Sequence, residues 1–309
     1  MTSDYEKPDL PISSNGKGSR KESVWYITGT SSGFGRRLVN VLLERGDKVI
    51  ATARSLSKIE DFPKSDNLRL QQLDITDGSE VLSKKFEEAV TWFGRIDVLV
   101  NNAGVAVKAL IEEGGSVQLR KQYDVNLFGT LDVTTAVLPH MRARRSGTIV
   151  LIGSRVSWQP GNPSSGPYAS SKAAVRVMGE TLAVELAPFS IRVLIVEPGA
   201  FRTENIFSQP FYEDNPIPDY DELRKVAIAH YKAVDGMQPG DPLKAMQALV
   251  DVIHGEGRAK GKAWPLFLPL GVETETAIRD KFETLDGLID EWDELIRDTR
   301  LDNLWYVNL

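Results

Sequence analysis

The chain reads as short apolar runs separated by longer stretches in which apolar residues recur at helical spacing. The runs are Val24-Trp-Tyr-Ile-Thr28, Lys48-Val-Ile-Ala-Thr-Ala53, Asp97-Val-Leu-Val100, Gly147-Thr-Ile-Val-Leu-Ile-Gly-Ser154, Ile191-Arg-Val-Leu-Ile-Val196 and Ala263-Trp-Pro-Leu-Phe-Leu268. Rich in β-branched residues and apolar almost throughout, they predict buried strands. Helical spacing marks Arg36–Arg45, the stretches around Ser116–Arg142 and Tyr168–Ala187, Pro242–His254 and Ile278–Arg297. Strand and helix alternate, which predicts an α/β fold, a single-domain doubly wound parallel sheet with helices on both faces.

Three stretches fall outside that alternation. Met1–Glu22 is polar, with Pro, Ser, Gly and Lys and no apolar centre, so it is expected to be a flexible tail, neither a secretory signal nor a folded element. Residues 23–309 are left as the domain. Glu204–Gly240 is broken by Pro210, Pro216, Pro218 and Pro239 and carries Phe207, Phe211, Tyr212, Tyr220 and Tyr231. Its composition suits either a packed surface excursion or a wall over a ligand. Leu304-Trp-Tyr-Val307 is a short apolar tail expected to dock.

With 309 residues the chain has room for one large domain without needing a second. A net charge of −6 with interspersed signs argues against nucleic acid as a partner. No apolar run reaches the roughly 18 residues that a membrane span needs. The complete lack of cysteine excludes disulfides and thiolate chemistry and fits a reducing compartment, so a cytoplasmic location is expected. His140, His230 and His254 lie far apart without ligand spacing, and no metal is expected.

The first strand runs straight into Thr28-Gly-Thr-Ser-Ser-Gly-Phe-Gly35, and a helix follows. Strand, glycine turn and helix together form a phosphate-binding context: glycines permit the turn and a close backbone approach, and the helix start offers unpaired N–H groups. An ordinary glycine-rich loop is the plainer reading of this motif alone. After the second strand, a carboxylate would accept a ribose hydroxyl, whereas Arg can grip a 2′-phosphate. Here Ala53 is followed by Arg54 and no acid precedes Glu60, so NADP(H) is expected over NAD(H). Asn101-Asn-Ala-Gly104 ends one strand, Ser154 another, and Glu197-Pro-Gly199 with Thr203 a third, at the edge where open parallel sheets bind ligands. Asn126 lies within a helical stretch, where Asn is unfavourable without a hydrogen-bonding role. Tyr168 and Lys172, four residues apart, would stack on one helix face. A cation beside a phenol favours the phenolate, which suits proton exchange at an alcohol or ketone oxygen, although the spacing also arises in plain surface pairs.

Taken jointly, these motifs over about residues 22–205 resemble the short-chain dehydrogenase/reductase family. Leu138-Pro-His-Met-Arg142 and Glu185-Leu-Ala-Pro188 are similar to its retinol- and hydroxysteroid-dehydrogenase-like members. The resemblance implies a nicotinamide cofactor held by Gly29, Ser31, Ser32, Gly33, Phe34, Gly35, Arg54, Asp74, Asn102, Ala103, Gly104, Asn126, Tyr168, Lys172, Pro198, Gly199 and Thr203. It implies Tyr168 as acid and base, Lys172 as its partner on the nicotinamide ribose, Ser154 holding the substrate oxygen and Asn126 supporting a water chain. Ser154 stands fourteen residues before Tyr168 where family members commonly have thirteen, and the extra residue is assigned to Gly161–Pro167. The expected function is NADP(H)-dependent interconversion of a ketone or aldehyde and an alcohol. A non-redox isomerisation, dehydration or cyclisation, or a redox-silent nucleotide sensor, remains possible on the same fold. The aromatic segment and Trp158-Gln-Pro160 would flank the nicotinamide and favour a lipophilic substrate such as a steroid, retinoid, terpenoid or polyketide, with Arg155 and Arg202 as counterweights. The apolar helices around Ser116–Arg142 and Tyr168–Ala187 imply a homodimer or homotetramer.

Overall fold

Alternate residues of Val24-Trp-Tyr-Ile27 go to opposite sides of a sheet, yet all four are buried, because helices cover both sides. The computed structural model describes residues 22–204 and 209–300. Its strands are β1 (Val24–Ile27), β2 (Lys48–Ala53), β3 (Leu68–Gln72), β4 (Val98–Asn101), β5 (Gly147–Ile152), β6 (Ile191–Pro198) and β7 (Phe267–Leu270). They form one parallel sheet in the order β3-β2-β1-β4-β5-β6-β7. The order reverses between β1 and β4, and the crevice beyond the carboxyl ends of strands at such a point is where this architecture binds ligands.

The helices are α1 (Gly33–Glu44), α2 (Ser79–Phe93), α3 (Ile111–Tyr123), α4 (Thr130–Arg144), α5 (Gly166–Leu186), α6 (Asp221–Val234), α7 (Pro242–His254), α8 (Val272–Glu291) and α9 (Asp293–Asp298). Trp25 and Ile27 pack with Leu38 and Leu42 of α1 and with Met246 and Leu249 of α7. On the other side Tyr26 packs with Phe86 of α2, Val133 and Met141 of α4, and Val175 and Leu182 of α5. Each such side chain stabilises the fold by about 1.5–3 kcal/mol when fully buried. The strand ends that carry the polar motifs are therefore held by a dense core on both sides.

Two expectations change in detail. The single helix around Ser116–Arg142 is instead α3 and α4 joined by a π-helical turn at Asp124–Gly129. The proline-broken Glu204–Gly240 segment contains a regular helix, α6, whose start follows Pro218 and whose first turn carries Asp221 and Glu222 at its positive dipole end. Phe207, the tail Met1–Lys21 and the Leu304–Val307 run lie outside the described residues. Among the described residues no helix is long and apolar enough to cross a membrane.

Candidate active site

The ends of β1 and β4 are stapled together by two side chains. The Thr28 hydroxyl oxygen accepts the backbone N–H groups of Asn102 and Ala103, both at 3.0 Å. The Asn102 amide donates to the carbonyls of Thr28 and Gly29, both at 2.9 Å. Gly29 has φ +70°, and a Cβ there would stand 2.8 Å from the Ala103 Cα. At Gly35 a Cβ would stand 2.5 Å from the Gly29 carbonyl oxygen and 2.6 Å from the Asn102 amide nitrogen. Both positions need glycine for space.

Ser32 precedes α1 without capping it through its side chain, so first-turn N–H groups are left for a ligand. That turn takes anions in this structure: the Glu204 carboxylate accepts the Gly33 N–H at 2.9 Å and pairs with Arg37 at 2.6 Å. Its bond to Arg37 holds the Glu204 carboxyl down to about 2. The donor set therefore fits a pyrophosphate.

From this turn a cleft of about 520 Å³ extends across the strand ends. Of the residues expected at the nucleotide and the reacting carbon, all but Gly35 and Asn126 line it. Gly35 lies behind the turn and Asn126 is buried behind the wall. Lys58 also lines the cleft, at the same end as Arg54, so two cations face that region. Its position four residues after Arg54 could have marked it. Asp74 lines the same end and accepts both the N–H (3.0 Å) and the hydroxyl (2.7 Å) of Thr76. A wider surface groove of about 1010 Å³ runs along α8 and contains none of these groups.

At the other end of the cleft, α5 presents Tyr168 and Lys172 one turn apart beside Ser154. Ser154 beside the phenol pulls its titration down, but burial outweighs that and pushes Tyr168 up to about 12. Burial also brings Lys172 down to about 8. Its ammonium sits 5.8 Å from the Tyr168 ring centre and donates to the Ile152 carbonyl at 2.6 Å. Asn126, 1% exposed in the π-helical turn, accepts the Val105 N–H at 2.9 Å and donates to the Val105 carbonyl at 3.0 Å and to the Ser171 hydroxyl at 3.2 Å. Gly104 separates Asn126 from Lys172, for a Cβ there would lie 3.2 Å from the Asn126 Oδ1 and 3.8 Å from the Lys172 Nζ.

Trp158 does not flank the cleft. It packs on Phe267 and Phe282, with the Arg176 guanidinium 4.3 Å over its ring. Arg155 and Arg202 do not line it either, and Arg202 donates to the Gln238 carbonyl. Apolar lining comes from Val105, Ala106, Val125, Ile152 and Phe201. The proline-broken segment is tied to the stretch before and within α3. Tyr212 donates its N–H to the Lys108 carbonyl, and the buried Glu113 accepts the Ile217 N–H at 2.9 Å and pairs with Arg224 at 2.5 Å. A further buried acid, Glu197, lies beside Ser154 and was not singled out by its sequence setting.

Comparison with known proteins agrees with this geometry. The short chain dehydrogenase family matches residues 23–209. The uncharacterized oxidoreductase YusZ of Bacillus subtilis is 36% identical over 75% of this chain and 84% of its own. Human 11-beta-hydroxysteroid dehydrogenase type 2 is 38% identical over 58% of this chain and 45% of its own. A solved short-chain dehydrogenase from Streptomyces avermitilis superposes with a TM-score of 0.78 at 34% identity, covering 91% of this chain and all (100%) of that one. ElxO, solved with NADP bound, superposes at 0.66 with 25% identity over 83% of this chain and 100% of its own. The chain belongs to the short-chain dehydrogenase/reductase family, an oxidoreductase family that binds a nicotinamide cofactor.

Proposed function

We propose that this short-chain dehydrogenase uses NADP(H) to interconvert a ketone or aldehyde and an alcohol on a lipophilic substrate. The observation that carries the reading is the meeting of Ser154, Tyr168 and Lys172 in the cleft that begins at the glycine turn. When bound, the nicotinamide supplies or accepts the hydride. The chain's own residues handle the rest. In reduction Tyr168 gives its proton to the carbonyl oxygen as the carbon is reduced, and in oxidation it takes the alcohol proton back. Ser154 orients that oxygen, Lys172 replenishes the proton, and Asn126 keeps the backbone around Val105 in place. Tyr168→Phe and Lys172→Met are each expected to lower turnover by roughly 10²–10⁴-fold, with NADPH affinity within a few fold of native in the Phe variant and weaker in the Met variant, which also loses a ribose contact. Loss of the NADPH near-ultraviolet absorbance with a panel of lipophilic carbonyls measures this. Normal turnover by the Phe variant would sink the scheme.

Preference for the phosphorylated nucleotide rests on Arg54 and Lys58 at the end of the cleft where Ala53 stands in place of an acid. A lipophilic substrate is favoured by the apolar lining, since a carboxylate would lose hydration there without a partner. Phe128, Val177 and Val184 are more than half exposed at 52%, 53% and 58%, so the faces that carry them suit a homo-oligomer. Light scattering on the purified chain tests that last point, and a monomer mass at micromolar concentration would count against it.

A further inference from the structure

We propose that Glu197 is a positioning residue of this site: its carboxylate fixes the turn that carries Ser154, next to the strand end that Lys172 holds, and so sets how Ser154, Tyr168 and Lys172 act together. The inference rests on the proton-donor role assigned to Tyr168.

The carboxylate has no contact with solvent, at 0% exposure. One oxygen accepts the Ser154 N–H at 3.2 Å and the Ser157 hydroxyl at 3.1 Å. Gly153 is bound to the neighbouring residue of the same strand, its N–H donating to the Val196 carbonyl at 2.7 Å. The other oxygen is buried without a hydrogen-bond partner and faces Gly153, where a Cβ would lie 2.9 Å away. Lys172 grips this strand end too, through the Ile152 carbonyl. An acid and a base thus hold one three-residue stretch, 152–154, and the middle residue is the only one small enough to admit the acid. A buried carboxylate with an oxygen left unpaired is costly and calls for a role.

The charged and titratable groups around it come from each neighbouring element. Ser154 and Ser157 approach from the end of β5. Lys172, Arg176 and Tyr168 approach from α5, with Arg176 paired to Glu180 at 2.7 Å. Beyond β6, Glu273 of α8 lies against Gly199. Burial raises Glu197 to about 7, against the pull of its Ser157 and Ser154 bonds, Arg176 and Lys172. As an anion it raises both Tyr168 and Lys172. Both effects favour the protonated pair that donates to a carbonyl.

Glu197→Gln keeps the shape and removes the charge. With 9,10-phenanthrenequinone as the carbonyl probe and NADPH oxidation as the signal, reduction by the native enzyme is expected to decline on the alkaline side as the pair loses its protons. In the Gln variant that decline moves to lower pH by about one unit. Ser157→Ala, which loosens the carboxylate without entering the core, moves it the same way by less. A structural role alone would lower turnover equally at every pH. Thermal unfolding gives a reading that needs no turnover. Because the folded-state value of Glu197 is raised, its contribution is fully present below the ordinary carboxyl range and lost as pH rises through about 7. The melting temperature of the native chain should therefore fall relative to the Gln variant over that window. Superimposable pH profiles and parallel melting curves for the native chain and both variants would overturn the role of Glu197. If Tyr168→Phe is inactive in the same experiment, the proton-donor assignment survives that result. If Tyr168→Phe turns over normally, the assignment itself fails.

Discussion

The two sides of the cleft are held by different forces. On the nucleotide side, Thr28, Gly29, Gly35 and Asn102 interlock through neutral hydrogen bonds and contacts tighter than any side chain would permit. On the far side, a segment remote in sequence is fastened to α3 by Arg224 on Glu113 and by the Tyr220 hydroxyl on Glu112. A steric lock has no intermediate settings, because packed atoms either fit or force a shift. An ion-pair clasp can be weakened, moved or rebuilt by single substitutions. The glycine turn is thus fixed by space, and the segment around α6 by charge.

Substituting Gly35 with Ala breaks the lock. The new methyl would meet a backbone carbonyl rather than a flexible side chain, overpacking costs about 1–3 kcal/mol or more, and NADPH affinity is expected to fall by about 100-fold. Nucleotide fluorescence titration measures it, and native affinity would show that the turn relaxes freely. Arg54→Ala leaves the lock intact and removes one charge-assisted contact of roughly 1.5–3 kcal/mol. NADPH binding should weaken by about ten- to a hundredfold while NADH binding hardly changes. If both nucleotides lose equally, Arg54 does not face the 2′-phosphate and Lys58 inherits that role. Arg224→Ala opens the clasp and leaves the Glu113 carboxylate, 3% exposed, without its cation. Here the expectation is a melting temperature lower by several degrees and a substrate KM raised roughly tenfold, on the view that the clasp shapes the substrate side, with NADPH affinity unchanged. Equal damage to both ligands would erase the distinction between the two sides.

The same contrast decides what could be read from the chain beforehand. The strands and the glycine turn announce themselves because their causes are local: a short apolar run, then glycines within a few residues. Ser154 could be placed despite its shifted spacing because the apolar run Ile149–Ile152 ends beside it. The Glu113–Arg224 pair spans 111 residues and leaves no local trace. Glu197 was visible as a letter before Pro198, but an acid at the end of an apolar strand reads as a solvent-facing terminus until the fold covers it. Burial moves Tyr168 and Lys172 in opposite directions, which proximity in sequence could not show, since it says nothing of how much water each group has lost. Trp158 follows Ser154 closely, yet a short turn at Arg155–Ser157 sends it toward β7 and α8 instead of the cleft.

The π-helical turn at Asp124–Gly129 gives Asn126 a kind of evolutionary fragility. A π turn accommodates one residue more than the α-helical ladder would. Deleting any one residue there would let the chain close into uninterrupted α-helix, a locally comfortable outcome. Each residue advances an α-helix by about 100°, so the deletion would leave α3 and α4 facing nearly as before, the π turn having absorbed its extra residue locally, while a retained Asn126 would change its place on the helix surface. The Asn126 amide would then turn away from Val105 and Ser171, and the loop it secures would lose its tether. Point substitutions along this stretch can be graded in effect, whereas a change in its length is all or nothing.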